Sequence, residues 1–380
     1  MISEALNKLY KYCQKEKYKG WDNYDGLNSR ILKNSPFYLS AFFRLAWIQF
    51  FKRFPINFRK IAFVSKGYNP KGLSLFVSGL MSLDKQSEAR ELINHLKEAT
   101  CCGYAGICWG YNFDWQSRLF LIPSGTPNIV TTVFVANSLL DYFDKTKEKE
   151  KLNMAINSCE FILKYLVLFE DENTLCFAYV PGGQARVHNA NMLGASFLAR
   201  VYNLTGAHNY YEKSRKAMTY SINALRTDYS WPYGESKYQQ FIDNFHTGFN
   251  LVALNNWMEY TGEFIWEEEL KRAYDYFLNM LWLDNGCPKY YHNSLYPIDI
   301  HCSAQGIVTC LKLFKYNNQS IPLAKKIAKW AIENMQDEKG YFYYQKTKWF
   351  TNKIPYMRWA QAWMFYALSL IKNSDIYIKG

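Results

Sequence analysis

The 380-residue sequence predicts an all-α fold, an (α/α)6 toroid of six helical hairpins, on three observations. One pattern recurs at intervals of roughly 55 to 61 residues. Its copies are GYNPKGLSLFVSGLMSLDK from Gly67, SGTPNIVTTVFVANSLLDYF from Ser124, ARVHNANMLGASFLARVYNLTG from Ala185, FIDNFHTGFNLVALNNWMEYTG from Phe241, YPIDIHCSAQGIVTCLKLF from Tyr296 and KIPYMRWAQAWMFYALSLIK from Lys353. Each copy holds a nearly uncharged helix. The last has only Arg358 as a charge between Pro355 and Lys372, so protein must surround it. Amphipathic stretches intervene. In SIPLAKKIAKWAIENM, Ile321, Ala324, Ala328, Ile332 and Met335 share one face, and Lys325, Lys326, Lys329 and Glu333 another. An inner and an outer ring follow, in one domain over 1–380 with 1–66 supplying an N-terminal helical extension and the first outer helices.

Residues 1–33 read as a short helix and a loop around KGWDNYDGLNSR. The opening MISEALNKLYKYCQKEKY is polar and amphipathic, without the basic-then-apolar order of a secretory signal. The nine cysteines show neither zinc-site nor CxxC spacing, and a reducing cytoplasmic setting is expected, extending to the inner face of the membrane. From Phe37 to Arg59 runs FYLSAFFRLAWIQFFKRFPINFR, which Arg44, Gln49, Lys52 and Arg53 interrupt too often for a bilayer span of about 20 residues. An outer helix of the first repeat is the favoured reading, and a helix lying in the membrane interface is the alternative.

From Asn69 onward the alternation is regular, with Asn69 before Pro70 forming a helix cap. Five loops enter the uncharged helices: CWGYNFDWQSR from Cys108, CFAYVPGGQARVHN from Cys176, WPYGESKYQQFIDN from Trp231, CPKYYHNSLYPIDIH from Cys287 and GYFYYQKTKWF from Gly340. Each has an aromatic piece that reads as a strand or turn, and together they make a cleft at one rim.

The aromatic content of 18% exceeds that of ordinary soluble chains; packing between helices uses most of it and stacking on sugar rings is a second use. The net charge of +12 attracts an anionic partner, but no basic run or nucleic-acid signature appears, so nucleic acid is not expected. No phosphate loop, GxSxG elbow or dinucleotide fingerprint stands in a suitable context, and no cofactor is expected.

His188, His246 and His301 stand at three helix entrances and read as being in register with one another. With Asp114, Glu235, Asp243 and Asp299 they form a pool for general acid and base catalysis, to which Tyr233 adds a phenol. No HExxH or equivalent pair is present, so no metal is expected. Asn128, Asn189 and Asn244 serve equally as caps or as ligand amides. Arg118, Arg186, Lys289 and Arg358 suit an anionic group. Trp109, Trp115, Trp231, Tyr290, Tyr344 and Trp359 offer flat faces to sugar rings, and Tyr111, Asn112, Asn191 and Gln361 complete the expected substrate-binding set.

From NPKGL at Asn69 through WGYNFDW, TPNIVTT, VHNANMLGA, WPYGE, DNFHTGFN, PKYY, PIDIH and GYFYYQK to PYMRWAQAW, the chain resembles a bacterial and archaeal family encoded among polysaccharide biosynthesis genes. Members often carry the label delta-aminolevulinic acid dehydratase, but that enzyme is a (β/α)8 barrel with Schiff-base lysines, a pattern this sequence lacks. At superfamily level the chain is similar to the six-hairpin glycosidases, uronate lyases, glucuronyl carbon-5 epimerases and N-acylglucosamine 2-epimerases. The segment from His188 to Asn191 resembles the Asn and His pairs that neutralise a uronate carboxylate in toroid lyases. The resemblance implies an enzyme acting on an acidic, lipid-linked or free, cell-surface oligo- or polysaccharide. Uronate epimerase or lyase chemistry is its most specific form. A glycoside hydrolase using two of the carboxylates, and a non-catalytic glycan-binding or assembly protein, are the alternatives.

Overall fold

A computed structural model describes residues 1–116 and 121–377. In chain order the helices are α1 (Ile2–Lys15), α2 (Arg30–Lys33), α3 (Ala41–Arg53), α4 (Pro70–Ser82), α5 (Gln86–Glu98), α6 (Ile129–Thr146) and α7 (Lys149–Tyr165). They continue with α8 (His188–Thr205), α9 (His208–Ile222), α10 (Asn244–Thr261), α11 (Glu267–Met280), α12 (Ile300–Lys312), α13 (Ser320–Met335) and α14 (Trp363–Tyr377). A π-helical turn, Met357–Ala362, leads into α14.

The uncharged helices touch one another in a closed circuit, α4 to α6, α8, α10, α12, α14 and back to α4. The amphipathic helices α5, α7, α9, α11 and α13 lie outside it, each against its preceding inner helix. The fold is an (α/α)6 toroid, and the inner helices carry few charges because neighbours cover most of their surface. Small residues set the spacing: a Cβ on Gly306 of α12 would lie 2.1 Å from the Trp282 indole.

The sixth outer helix is not the one expected. α1 takes that place, packing on α14 and α13 through Leu6, Leu9 and Cys13. Phe37–Arg59 is not an outer helix of the first repeat. Its helix α3 packs chiefly on the 3-10 turns Asp25–Asn28 and Pro36–Leu39 and on the strand β1 (Trp115–Gln116), at the rim that carries the inner-helix starts. The physical reason is pattern: α1 has a single apolar face, whereas α3 is apolar on most sides and buries only Ile48 and Phe51.

The aromatic loop pieces form small antiparallel ladders. β1 pairs with β2 (Leu121–Ile122), β3 (Val167–Glu170) with β4 (Leu175–Phe177), and β5 (Ile298–Asp299), β6 (Gln345–Lys346) and β7 (Thr351–Asn352) make a three-stranded sheet. Among the described residues no helix is long and apolar enough to cross a membrane.

The N-terminal segment is fastened to the barrel by buried charge. Arg358 donates from Nε and Nη2 to the two carboxylate oxygens of Asp22 at 2.6 and 2.7 Å, and Arg59 donates to Asp25 at 2.6 Å and to the Asp22 carbonyl at 2.8 Å. Bidentate geometry and full burial make this a fixed joint.

Candidate active site

Inner-helix starts converge on one rim, and their caps set the register. Asn69, Asn128, Asp243 and Asp299 accept hydrogen bonds from first-turn backbone amides, while Val187 and Tyr356 hold the same place without a side-chain cap. The second residue after each cap is Lys71, Val130, Asn189, Phe245, His301 or Arg358, and all six line one axial cavity of about 320 Å³. Its walls are mainly aromatic, with Tyr24, Tyr111, Trp115, Tyr179, Tyr233, Tyr290 and Trp359 among them. A second hollow of about 730 Å³ adjoins it, sharing Trp115, Tyr179 and Tyr233.

At the cavity wall His246 and Asp243 form a dyad. Asp243 Oδ1 caps α10 through the His246 backbone amide at 2.9 Å, and its Oδ2 lies 2.7 Å from His246 Nδ1. The carboxylate only accepts, so Nδ1 carries a proton, and in the neutral imidazole Nε2 is the nitrogen with the lone pair. Asp243 is buried and His246 partly open, so the pair is oriented from behind and reached from the cavity.

His301 sits deeper, 1% exposed, and among the described residues neither ring nitrogen has a hydrogen-bond partner. Its ring and that of His246 both touch Phe245, at centroid distances of 4.6 and 4.1 Å. Burial, with Lys71 and Arg358 next to it, holds the His301 imidazolium well below the usual histidine range, so the ring is neutral. Burial likewise pushes the phenols of Tyr233 and Tyr290 up, Asp243 adding to it, so both stay protonated as hydrogen-bond donors.

Of the residues singled out from sequence, Tyr111, Trp115, Asn189, Tyr233, Asp243, His246, Tyr290, His301, Arg358 and Trp359 line the cavity. Several others do not, and the expected register of the three histidines needs correction. His188 is the first residue after its cap position, His301 the second and His246 the third. Each step turns a side chain by about 100° on a helix. His188 therefore faces α9, where Nδ1 lies 3.4 Å from Ser221 Oγ, and Asn244, also a first residue, donates to the Leu281 carbonyl at 3.1 Å.

Asp299 is a buried cap that also accepts from Trp359 Nε1 at 2.9 Å and Gln345 at 3.1 Å; burial raises it to about 6. Asp114 is paired with Lys33 at 2.7 Å and accepts from Tyr38 at 2.9 Å. Glu235 faces the adjoining hollow, bonded to Tyr220 and 3.5 Å from Arg186. Trp109 and Trp231 are fully buried, each donating its indole N–H to a carbonyl, Leu96 and Ser221, at 2.7 and 2.8 Å. Asn191 and Gln361 hold entry loops through Phe177 and Phe342 backbone groups, and Asn112 joins Asn69 at 2.8 Å. Lys289 lies outside the cavity lining, and Arg118 lies outside the described residues.

Among the cavity residues that escaped the sequence reading are two lysines. Lys71 is the only charge in α4, the same signal that singled out Arg358 in the last repeat. Lys52, from α3, donates to Tyr24 Oη at 2.7 Å, and no repeat pattern points to it. Among the described residues, no three His, Cys, Asp or Glu side chains gather in a metal-binding arrangement.

His188 supports a prediction about acid stability. Burial depresses its folded-state value from 6.5 to about 4. Between those values the unfolded chain holds the extra proton, so His188 makes stability fall as pH drops from about 6.5 towards 4. Its full contribution is about 3 kcal/mol. Urea unfolding at pH 7 and pH 4.5 should show a smaller acid loss for His188→Gln than for the parent, and equal losses would contradict the assignment.

No family model matches the chain, and no curated protein matches it. Solved structures do. A sugar epimerase from a ruminal bacterium aligns at TM-score 0.62 and 12% identity, covering 80% of this chain and 86% of that one. A family 76 α-mannanase from Bacteroides thetaiotaomicron aligns at 0.63 and 13%, covering 83% and 89%. An unsaturated glucuronyl hydrolase specific for heparin aligns at 0.59 and 11%, covering 83% and 88%. At these identities the likeness is one of fold: the chain is similar to these proteins in its (α/α)6 toroid.

Proposed function

We propose that the protein is a carbohydrate-active enzyme whose axial cavity carries out proton transfer at a sugar carbon, in the manner of a uronate epimerase or lyase. The observation that carries this is the oriented His246–Asp243 dyad opening on an aromatic cavity beside a neutral His301. His246 Nε2 takes the proton from the carbon next to the carboxylate, and the electron pair moves into the carboxylate as an enediolate. The cavity phenols, Tyr233 and Tyr290, supply hydrogen bonds to the developing charge. Return of a proton to the opposite face gives the epimer, while loss of the substituent at the neighbouring carbon gives the unsaturated sugar. The sugar epimerase and glucuronyl hydrolase among the structural neighbours support a saccharide substrate. A glycoside hydrolase is less favoured, because of the four candidate carboxylates only Asp243 lines the cavity.

Incubation of uronate-containing oligosaccharides in D2O tests the reading. NMR should show loss of the proton next to the carboxylate as deuterium enters, or a new vinyl signal for elimination. Release of reducing ends without either change would favour hydrolysis.

The rim supports a membrane-linked substrate. Leu39, Phe42 and Trp349 are 84%, 73% and 83% exposed, and Phe37, Ile56, Ile61 and Phe63 are exposed near the first two in sequence. There is no Asp or Glu from Gly26 to Leu83, while Arg30, Arg53, Lys60 and Lys66 are exposed. Exposed aromatics among cations match an anionic bilayer surface. The protein should co-sediment with vesicles containing anionic lipid at low salt and release as salt rises. Replacing Phe42 and Trp349 by Ser should abolish the binding; equal binding to neutral vesicles, or none, would contradict it.

A further inference from the structure

The cavity floor has a charge without a counter-charge. Lys71 is 4% exposed and lines the axial cavity. Among the described residues its ammonium has no hydrogen-bond acceptor and no carboxylate within ion-pair distance; its contacts are the rings of Phe134, Phe249 and Trp363, at 4.4, 5.2 and 5.5 Å. The other cations of the cavity are engaged: Arg358 is held by Asp22 and Lys52 by Tyr24. The one cavity carboxylate, Asp243, is committed to His246.

Around the floor the remaining polar groups are open too. Among the described residues Asn189 Oδ1 and both His301 nitrogens lack hydrogen-bond partners. Six inner-helix N-termini converge at this rim, and each brings the positive end of its dipole. A buried, uncompensated cation is costly unless an anion joins it. Among the described residues Asp22, the carboxylate whose field reaches Lys71, is committed to Arg358, and the cavity is where a ligand enters.

We propose that Lys71 receives the substrate's carboxylate, with Asn189 and His301 as flanking hydrogen-bond groups. The inference rests on the proton-transfer reading and deepens it, moving the anion-holding role from Arg358, whose fork is occupied, to Lys71. Held there, the carboxylate would spread the enediolate charge towards Lys71 while His246 works on the adjoining carbon. Burial, with Arg358 adding to it, holds the Lys71 amine well below the usual lysine range. A carboxylate beside the amine favours its charged form, so an acidic sugar is held by the ammonium and a neutral one is not.

The test uses the full chain with disaccharides of glucuronate, galacturonate and mannuronate and with their methyl esters, which keep the sugar and remove the charge. Calorimetry should show at least one acid binding about 10- to 100-fold more tightly than its ester. Lys71→Met should weaken the acid about 10- to 100-fold, the range of a charge-assisted hydrogen bond, and leave the ester unchanged. The variant should unfold at an equal or higher temperature, because a buried charge has been removed. Equal weakening of acid and ester would make Lys71 structural and overturn the proposal, as would an acid preference retained in the variant or absent from the parent protein. Deuterium wash-in by the parent separates the two readings. Wash-in with unchanged acid preference in Lys71→Met sinks the lysine assignment alone. No wash-in, with acid preference that the lysine controls, sinks the proton-transfer reading and leaves a carboxylate-binding site.

Discussion

His246→Asn should fold as the parent does and lose at least about 100-fold in deuterium wash-in on an acidic oligosaccharide, the usual scale for a general acid or base. His246 is partly exposed, and its ring caps nothing: the cap of α10 is the Asp243 carboxylate on the His246 backbone amide, which the variant keeps. Asp243→Asn should also lose activity. The amide can cap the helix but can present an N–H to the imidazole, which would turn the tautomer and put a proton on the nitrogen facing substrate. A stable His246→Asn with unchanged turnover would end the catalytic claim for this residue.

Asp22→Ala should cost about 3–5 kcal/mol in urea unfolding, the largest single-site stability effect expected in the chain. The substitution leaves Arg358 buried with no carboxylate, and removes the bidentate pair that ties the N-terminal segment to the last inner helix. Most of the cost is the orphaned guanidinium. Asp22→Ala combined with Arg358→Met should therefore recover much of the loss, which a double-mutant cycle would measure. A single-variant loss under about 1 kcal/mol would mean that water reaches Arg358 and that the joint is not closed.

The toroid was legible because charge is sparse in the inner helices at one period, a signal repeated in the copies. Closure was not. α1 pairs with α14 across almost the whole sequence, and its amphipathic face resembles that of any outer helix, so nothing local says which inner helix it covers. The rim role of α3 was hidden for a related reason. Composition reads an aromatic helix as core, whereas Phe42 and Phe43 remain exposed.

The site was half legible. His246, Asp243, Tyr233 and Trp359 could be found by their position at a helix entrance, but matching histidine to histidine misaligned His188 by one to two residues. Counting from the caps aligns the repeats correctly and brings out Lys71, which stands where Arg358 stands in the last copy. Trp109 and Trp231 could not be separated from cleft aromatics in sequence. Their indole N–H groups find carbonyls at the ends of outer helices, which only the packed structure reveals.

The central claim is that the axial cavity holds an acidic sugar with its reactive carbon at His246. A crystal structure of His246→Asn with a uronate disaccharide tests it most directly. The account predicts the ring among Tyr233, Tyr290 and Trp359, its carboxylate at Lys71, and the carbon next to the carboxylate about 3–3.5 Å from the position of the replaced imidazole. A sugar bound only in the adjoining hollow by Trp115 and Glu235, with no ring carbon within reach of residue 246, would contradict it.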